Sequence, residues 1–260
     1  MECATLFSGS SGNCIYVGTE KTKVLVDAGS SGKRIKEALN ELNIDIKEIQ
    51  ALLVTHEHID HIKGLGVLSR RYDLPIYASP KTWQKLTCIG KIAEHNQKEF
   101  DYGMEIGDLK VDFFKTSHDA IQPVGMVFYH REKKIGIATD TGCITSGMKK
   151  ALSGADVIFF EANHDEEMLA KGPYPFPLKK RIGGDQGHLS NDMAGKALRE
   201  LITEKTRHVI LSHLSEINNT PELAYHTVAS TLAEADILDQ VALTVAPRYQ
   251  VHSLIKIKRL

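Results

Sequence analysis

The segment Thr55-His56-Glu57-His58-Ile59-Asp60-His61 constrains this chain more than any other. His56, His58, Asp60 and His61 crowd together directly after the apolar run Ala51–Val54. Imidazole with carboxylate suits zinc, manganese or iron. In an extended segment alternate side chains share a face, so His56, His58 and Asp60 converge while His61 enters from the following turn. A catalytic ion keeps one position open for water, so this is more donor capacity than one such ion needs. The run is therefore read as the first half of a two-metal hydrolytic site. A polar loop of solvated histidines is the alternative, and it matches so long a pattern poorly.

The length of 260 residues allows a large core, and one domain over 1–260 is the simplest account, with no linker, repeat or low-complexity tract. No stretch is long and apolar enough to span a membrane. The opening Met1-Glu2-Cys3-Ala4-Thr5-Leu6-Phe7 lacks a basic region followed by an apolar core. The expectation is no export, a cytoplasmic location and no membrane association. Cys3, Cys14, Cys88 and Cys143 show no paired spacing, which argues against a cysteine metal site and suits a reducing compartment. The formal net charge of −1 counts mildly against extensive phosphate contact, although a local basic patch suffices for it.

Apolar runs predict strands at Ala4–Phe7, Ile15–Val17, Lys23–Val26, Ala51–Val54, Pro75–Ala78, Leu109–Lys115, Gly125–His130, Lys134–Thr139, Val157–Glu161, His208–Ser212, Val241–Val245 and Tyr249–Ile257. Helical spacing is read at Lys33–Leu42, Ile62–Tyr72, Pro80–Leu86, Thr145–Ser153, Asn163–Ala170, Ser190–Leu201 and Pro221–Ala235. Lys171–Gly187, rich in Gly, Pro and basic residues, reads as a mobile loop. Strands in both halves with helices interspersed predict an α+β architecture of two face-to-face sheets with helices outside.

Further polar residues repeat the first pattern. His118 follows Val111–Lys115, Asp140 follows Ile135–Ala138 and His213 follows Val209–Leu211. Taken singly, each fits a solvated histidine or a turn. Strand ends gathered on one rim are also where loops present catalytic groups from a rigid scaffold. His95, His130, His208, His226 and His252 have no metal-like company and read as structural or exposed.

In this order after His-x-His-x-Asp-His, the pattern resembles the metallo-β-lactamase-fold hydrolases. The likeness runs from Asp27 in Val-Asp-Ala-Gly through the histidine run to His118, Asp140 and His213. It implies a four-layer αββα sandwich with the site between the edges of two sheets. It also implies two divalent ions, zinc or manganese with iron possible. His56, His58 and His118 would hold one, Asp60, His61 and His213 the other, with Asp140 bridging. Asp27 would stand behind the ligands, where carboxylates orient imidazoles. Glu161 and His164 are further candidates for that supporting role.

The phrases Phe7–Asn13, His61-Ile62-Lys63-Gly64-Leu65, Glu161–Asp165 and Gly187-His188-Leu189-Ser190-Asn191 are similar to the YycJ/WalJ branch. That branch implies a metal-dependent nuclease acting from the 5′ end of DNA; no obligatory protein partner is inferred from the sequence. The stretch between Tyr77 and His118 is too short for the added domain of RNase J-type nucleases, and no tRNase Z-type arm is evident.

Two ions about 3.5–4 Å apart can bridge and deprotonate a water, then clamp the attacking and leaving oxygens of an in-line displacement. Asp60 would orient that hydroxide as well as ligate. His188, before a helix start, is read as contacting the scissile phosphate or protonating the leaving oxygen, against an incidental histidine in a capping turn. Lys179, Lys180 and Arg181 beside Tyr174 and Phe176 suit a single strand, the cations tracking phosphates and the rings stacking on bases. The milder reading is a solvated loop with its two aromatics in the core. The Gly/Ser-rich Ser8–Asn13 lacks the Lys-Ser/Thr ending of a nucleotide loop and reads as a tight turn. The expected activity is a two-metal 5′-to-3′ DNA exonuclease. Hydrolysis of a thioester, lactone or cyclic nucleotide is the alternative, because a metal core alone does not choose its substrate. A non-catalytic binding protein fits a complete ligand set poorly.

Overall fold

A computed structural model describes residues 1–257. The first sheet is built from β1 (Glu2–Phe7), β2 (Cys14–Gly18), β3 (Lys23–Val26), β4 (Ala51–Leu53), β5 (Ile76–Ala78) and β6 (Gln97–Glu99). The second follows with β7 (Gly103–Ile106), β8 (Leu109–Lys115), β9 (Val124–His130), β10 (Lys133–Ala138), β11 (Val157–Glu161), β12 (His208–Ser212) and β13 (Ala242–Val245). A last strand, β14 (Ile255–Lys256), returns to pair antiparallel with β1. The orders are β14-β1-β2-β3-β4-β5-β6 and β13-β12-β11-β10-β9-β8-β7.

Each sheet opens as an antiparallel meander and continues as parallel strands. In the first, β1–β3 are antiparallel and β3–β6 parallel. In the second, β7–β10 are antiparallel and β10–β13 parallel. The inner parallel strands β3, β4, β11 and β12, with the end of β10, are buried on both faces and therefore read as unbroken apolar runs. In β3, Val24 and Val26 face the other sheet while Leu25 faces the outer helices. In β11, Val157 and Phe159 face the first sheet while Ile158 and Phe160 face outward. Three apolar layers result, one between the sheets and one under the helices on each side, which makes the αββα sandwich.

The helices are α1 (Gly32–Glu41), α2 (Ile59–Ile62), α3 (Leu65–Tyr72), α4 (Pro80–Lys85), α5 (Ser146–Leu152), α6 (Glu166–Lys171), α7 (Phe176–Ile182), α8 (Asn191–Leu201) and α9 (Pro221–Ala233). α1 shows why such segments form: Ser31 accepts from the Arg34 N–H as its cap, and Ile35, Ala38 and Leu39 bury one stripe. No helix of the described residues is long and apolar enough to cross a membrane.

Four sequence expectations change. Ile62–Tyr72 is not one helix but α2 and α3, because Gly64 sits where its N–H reaches the Ala28 carbonyl and a Cβ would strike the Ser30 carbonyl oxygen. Lys171–Gly187 is not all loop, since α7 occupies its centre with proline in its first turn, where a missing N–H costs nothing. Strands β6 and β7 were not expected. Of the expected strand Tyr249–Ile257, only Ile255–Lys256 pairs.

Candidate metal centre

The catalytic edge is made by the carboxyl ends of strands. Asp27 follows β3, His56 follows β4, His118 follows β8, Asp140 follows β10, Glu161 ends β11 and His213 follows β12. Asp27, Asp140 and His213 hold φ at 60°, 56° and 59°. A left-handed backbone in non-glycine residues is costly and persists where the surroundings enforce it. Here it turns each chain sharply out of its strand, so that the side chain faces the gap between the sheets.

The histidine run is not extended throughout. His58 is the N-cap of α2, and Ile59–Ile62 form a single helical turn. Alternation therefore brings His58 to His56 but not Asp60. The helical turn sends Asp60 and His61 to a second group with His213.

The first group is His56, His58 and His118. His118 Nδ1 donates to the Gly187 carbonyl at 2.9 Å, which leaves Nε2 bare. Thr55 Oγ1 donates to Asp27 Oδ2 at 2.8 Å, so His56 Nδ1, 3.0 Å from that hydroxyl, donates to it and also leaves Nε2 bare. Both bare nitrogens point at His58 Nδ1, at 3.1 and 3.2 Å. One proton on His58 satisfies at most one of them. Converging imidazole lone pairs fit a cation.

The second group is Asp60, His61 and His213. Asp60 Oδ2 lies 3.7 Å from His61 Nε2 and 3.6 Å from His213 Nε2. Their opposite nitrogens are engaged: His61 Nδ1 with Asp27 at 2.7 Å and His213 Nδ1 with Glu161 at 2.9 Å. Asp140 lies between the groups, with Oδ2 3.3 Å from His61 Nε2 and Oδ1 3.8 Å from His118 Nε2. Asp140 Oδ2 and His213 Nε2 are buried without a hydrogen-bond partner. Buried polar atoms are normally satisfied, and a divalent ion would satisfy both of these.

A family model described as the beta-lactamase superfamily domain matches residues 22–214. The chain belongs to the beta-lactamase superfamily. Within it, the chain is 45% identical to the exodeoxyribonuclease YycJ of Bacillus anthracis, over 89% of each chain. It is 42% identical to the exodeoxyribonuclease WalJ of Streptococcus pneumoniae serotype 2, over 89% of this chain and 88% of that one. Among solved structures, the metallo-beta-lactamase fold protein YhfI of Bacillus subtilis superposes with a TM-score of 0.72, at 17% identity, over 96% of this chain and 98% of that one. The αββα architecture is thus the superfamily's.

Electrostatics divides the clustered histidines of this superfamily member into two kinds. Burial, reinforced by neighbouring imidazoles, holds His56 well below its ordinary range, and burial lowers His118 despite Asp140. Both are therefore neutral, the form that ligates. Burial opposes charge on His61, but Asp140, Asp27 and Asp60 overcome it and push the group up to about 9. His213 is likewise raised against burial by Asp140, Asp60 and Glu161. Without ions the carboxylates keep these two protonated.

Glu161 is wholly buried and organises one wall. Its Oε1 accepts from His188 Nδ1 at 2.7 Å and from His213 Nδ1 at 2.9 Å. Its Oε2 accepts the N–H of Thr141, beside Asp140, and of Leu189. The His188 ring lies 4.9 Å from that of His118 and 5.2 Å from that of His213, partly open to solvent. His164 is buried, but no hydrogen bond joins it to the cluster and its Nδ1 is unpartnered.

The basic residues separate. Lys179 Nζ donates to the Ala170 carbonyl at 2.6 Å, joining α7 to α6. Lys180 is exposed. Arg181 pairs with Asp119, whose other oxygen lies 3.3 Å from His118 Nε2. Phe176 is 77% exposed, not tucked into the core.

Three contributors escaped the sequence reading. Asp119 stands at the rim beside His118. Asn13 Nδ2 lies 3.3 Å from Asp60 Oδ2 and 3.0 Å from His61 Nε2. Ser8 Oγ accepts the His213 N–H at 2.7 Å. The turn Ser8–Asn13 thus braces the second group from both sides. The sequence signals for it were a Gly/Ser-rich turn and the family-like phrase Phe7–Asn13, neither of which assigned Ser8 or Asn13 a partner.

Proposed function

We propose that this chain is a two-metal phosphodiesterase that degrades DNA from the 5′ end. The observation that carries this reading is the convergence of His56, His58 and His118 and of Asp60, His61 and His213 into two ion-sized groups, with Asp140 in two further groups that overlap them, one with His56 and His61 and one with Glu161, His188 and His213. The identity to curated exodeoxyribonucleases over most of the chain supports DNA as substrate. His56, His58 and His118 would hold one divalent ion, Asp60, His61 and His213 the other, with Asp140 shared; zinc and manganese suit this ligation and iron is compatible with it. Bound there, such ions supply Lewis acidity toward phosphoryl oxygens and acidify water.

The chain's own residues set the geometry. Asp27 and Glu161 fix the tautomers of His61 and His213, so that Nε2 of each faces the centre. The Gly187 carbonyl does the same for His118. Asp60 would orient the attacking hydroxide as well as help to hold its ion. His188 receives orientation from Glu161 through Nδ1, which leaves Nε2 to meet the scissile phosphate or protonate the leaving oxygen. Arg181, tethered by Asp119, supplies positive charge at the rim, and Lys180 adds to it further out. Lys179 serves chiefly the α6–α7 junction.

The test is digestion of 5′- and 3′-labelled single- and double-stranded DNA, with and without a 5′-phosphate. The protein is stripped of metal, then reloaded with manganese or zinc, with Asp140→Ala as control. Metal-dependent release of nucleotides from the 5′ end, absent in the variant, is expected. No DNA cleavage with any metal, from protein that still holds ions, would overturn the reading in favour of a small thioester, lactone or cyclic nucleotide.

A further inference from the structure

Beside the metal centre, at its His213 end, a second arrangement stands outside the chemistry so far described. Arg34, exposed on α1, lays its guanidinium 4.8 Å from the Phe7 ring centroid and 5.8 Å from that of Tyr249. Both distances are within cation–π range. Among the described residues Arg34 pairs with no carboxylate, so its charge and its N–H edge remain available. Tyr249 is 53% exposed and touches one acid, Glu216, through Oη at 3.4 Å.

Both rings are anchored to the groups that hold His213. Phe7 ends β1, and the next residue, Ser8, accepts the His213 N–H. Tyr249 follows Arg248, whose Nη2 donates to the carbonyl of Leu214, the residue after His213, at 2.7 Å. Arg248 Nη1 packs so closely on Gly9 that a Cβ there would come within 2.6 Å of it. Arg248 is thus held between the Gly9 turn and the Leu214 carbonyl, which ties the chain leading into Tyr249 to the residues flanking His213.

We propose that Arg34 and Tyr249 form a nucleotide subsite for single-stranded DNA, Arg34 binding a backbone phosphate and the outer face of Tyr249 stacking on an unpaired base. The inference rests on the nuclease reading and adds to it the form of substrate. A guanidinium offers a planar donor edge that matches phosphate oxygens, and stacking on a neighbouring ring fixes that plane beforehand. Every base has a face to stack on, so such a platform accepts any sequence. A base paired within a duplex keeps its faces covered, which makes an unpaired strand the fitting occupant. Glu216 sets the limit of the patch, since a phosphate would avoid that side of Tyr249.

The test measures binding of a 3′-fluorescein oligothymidylate with hydrolysis-resistant phosphorothioate linkages to the metal-loaded protein, by anisotropy across a salt series. Arg34→Gln is expected to weaken binding about tenfold at low salt and to reduce the slope of log K against log salt by about 0.7, the share of one phosphate on a single strand. Tyr249→Leu is expected to weaken binding about tenfold with the slope unchanged. Tyr249→Phe, which keeps the ring, should bind as the unaltered protein does. A merely structural role would instead lower the melting temperature and leave the salt slope alone. Unchanged affinity and slope in both Arg34→Gln and Tyr249→Leu, in a protein that cleaves DNA, would overturn the subsite and leave the nuclease reading standing. A protein that neither binds nor cleaves DNA would overturn both.

Discussion

Asp27 holds His61 through a 2.7 Å contact between its Oδ2 and the histidine's Nδ1, with both groups buried. The same carboxylate accepts from the N–H and the hydroxyl of Thr55, which in turn orients His56. One side chain thus sets the imidazole planes of both proposed ion sites. Asp27→Asn keeps the shape but can present N–H where His61 needs an acceptor. Metal affinity is expected to fall about 10- to 100-fold. Titration of metal-free protein with manganese or zinc reads this directly, and unchanged affinity at both sites would show that the contact is dispensable.

Glu161 joins His188 to His213, so its removal should act in two ways. Glu161→Gln is expected to lower both metal occupancy and turnover. His188→Ala should leave the metal content intact and cut turnover on DNA about 10²- to 10⁴-fold, the range for a lost proton-transfer group. Metal analysis alongside initial rates separates the two variants. Full turnover in metal-replete His188→Ala would remove His188 from the chemistry.

The sandwich and the site were legible for the same physical reason. Strands β3, β4, β10, β11 and β12 are buried on both faces, so they stand out as apolar runs, and each is followed by polar residues of the cluster. What was not legible depends on the third dimension. Gln97–Glu99 of β6 is exposed along its length and shows no apolar alternation. Pro175 and Pro177 looked like breakers, yet α7 starts between them, where proline is tolerated. Asn13 and Asp119 gain meaning only from what folding sets beside them, Asp60 and His61 for the first, His118 and Arg181 for the second.

The protonation of His61 predicts how the metal-free protein responds to pH. Its value in the fold, about 9, lies above the ordinary 6.5. The charged form therefore contributes stability that is complete below 6.5 and lost as pH rises through 9, and His213 adds in the same direction. Metal-stripped protein should melt at progressively lower temperature over that window. Ion binding expels these protons, so metal-loaded protein should not follow the trend and should bind its ions more tightly as pH rises. Parallel melting curves of stripped and reloaded protein would contradict this.

Arg34 rests on the rings of Phe7 and Tyr249, whereas Arg181 pairs with Asp119, a carboxylate next to a proposed ligand. Arg181→Gln should lower kcat/KM on DNA about tenfold, because it removes a cation at the rim and leaves Asp119 unneutralised where phosphate approaches. Lys180→Gln, on the exposed face of α7, should weaken DNA binding modestly at low salt and lower the salt slope by about 0.7 on a single strand. Lys179→Gln should act on the α6–α7 junction and appear as a small fall in melting temperature. Three equal effects on DNA binding would mean that α7 presents a uniform basic face and that the Arg181–Asp119 pair does not set Arg181 apart.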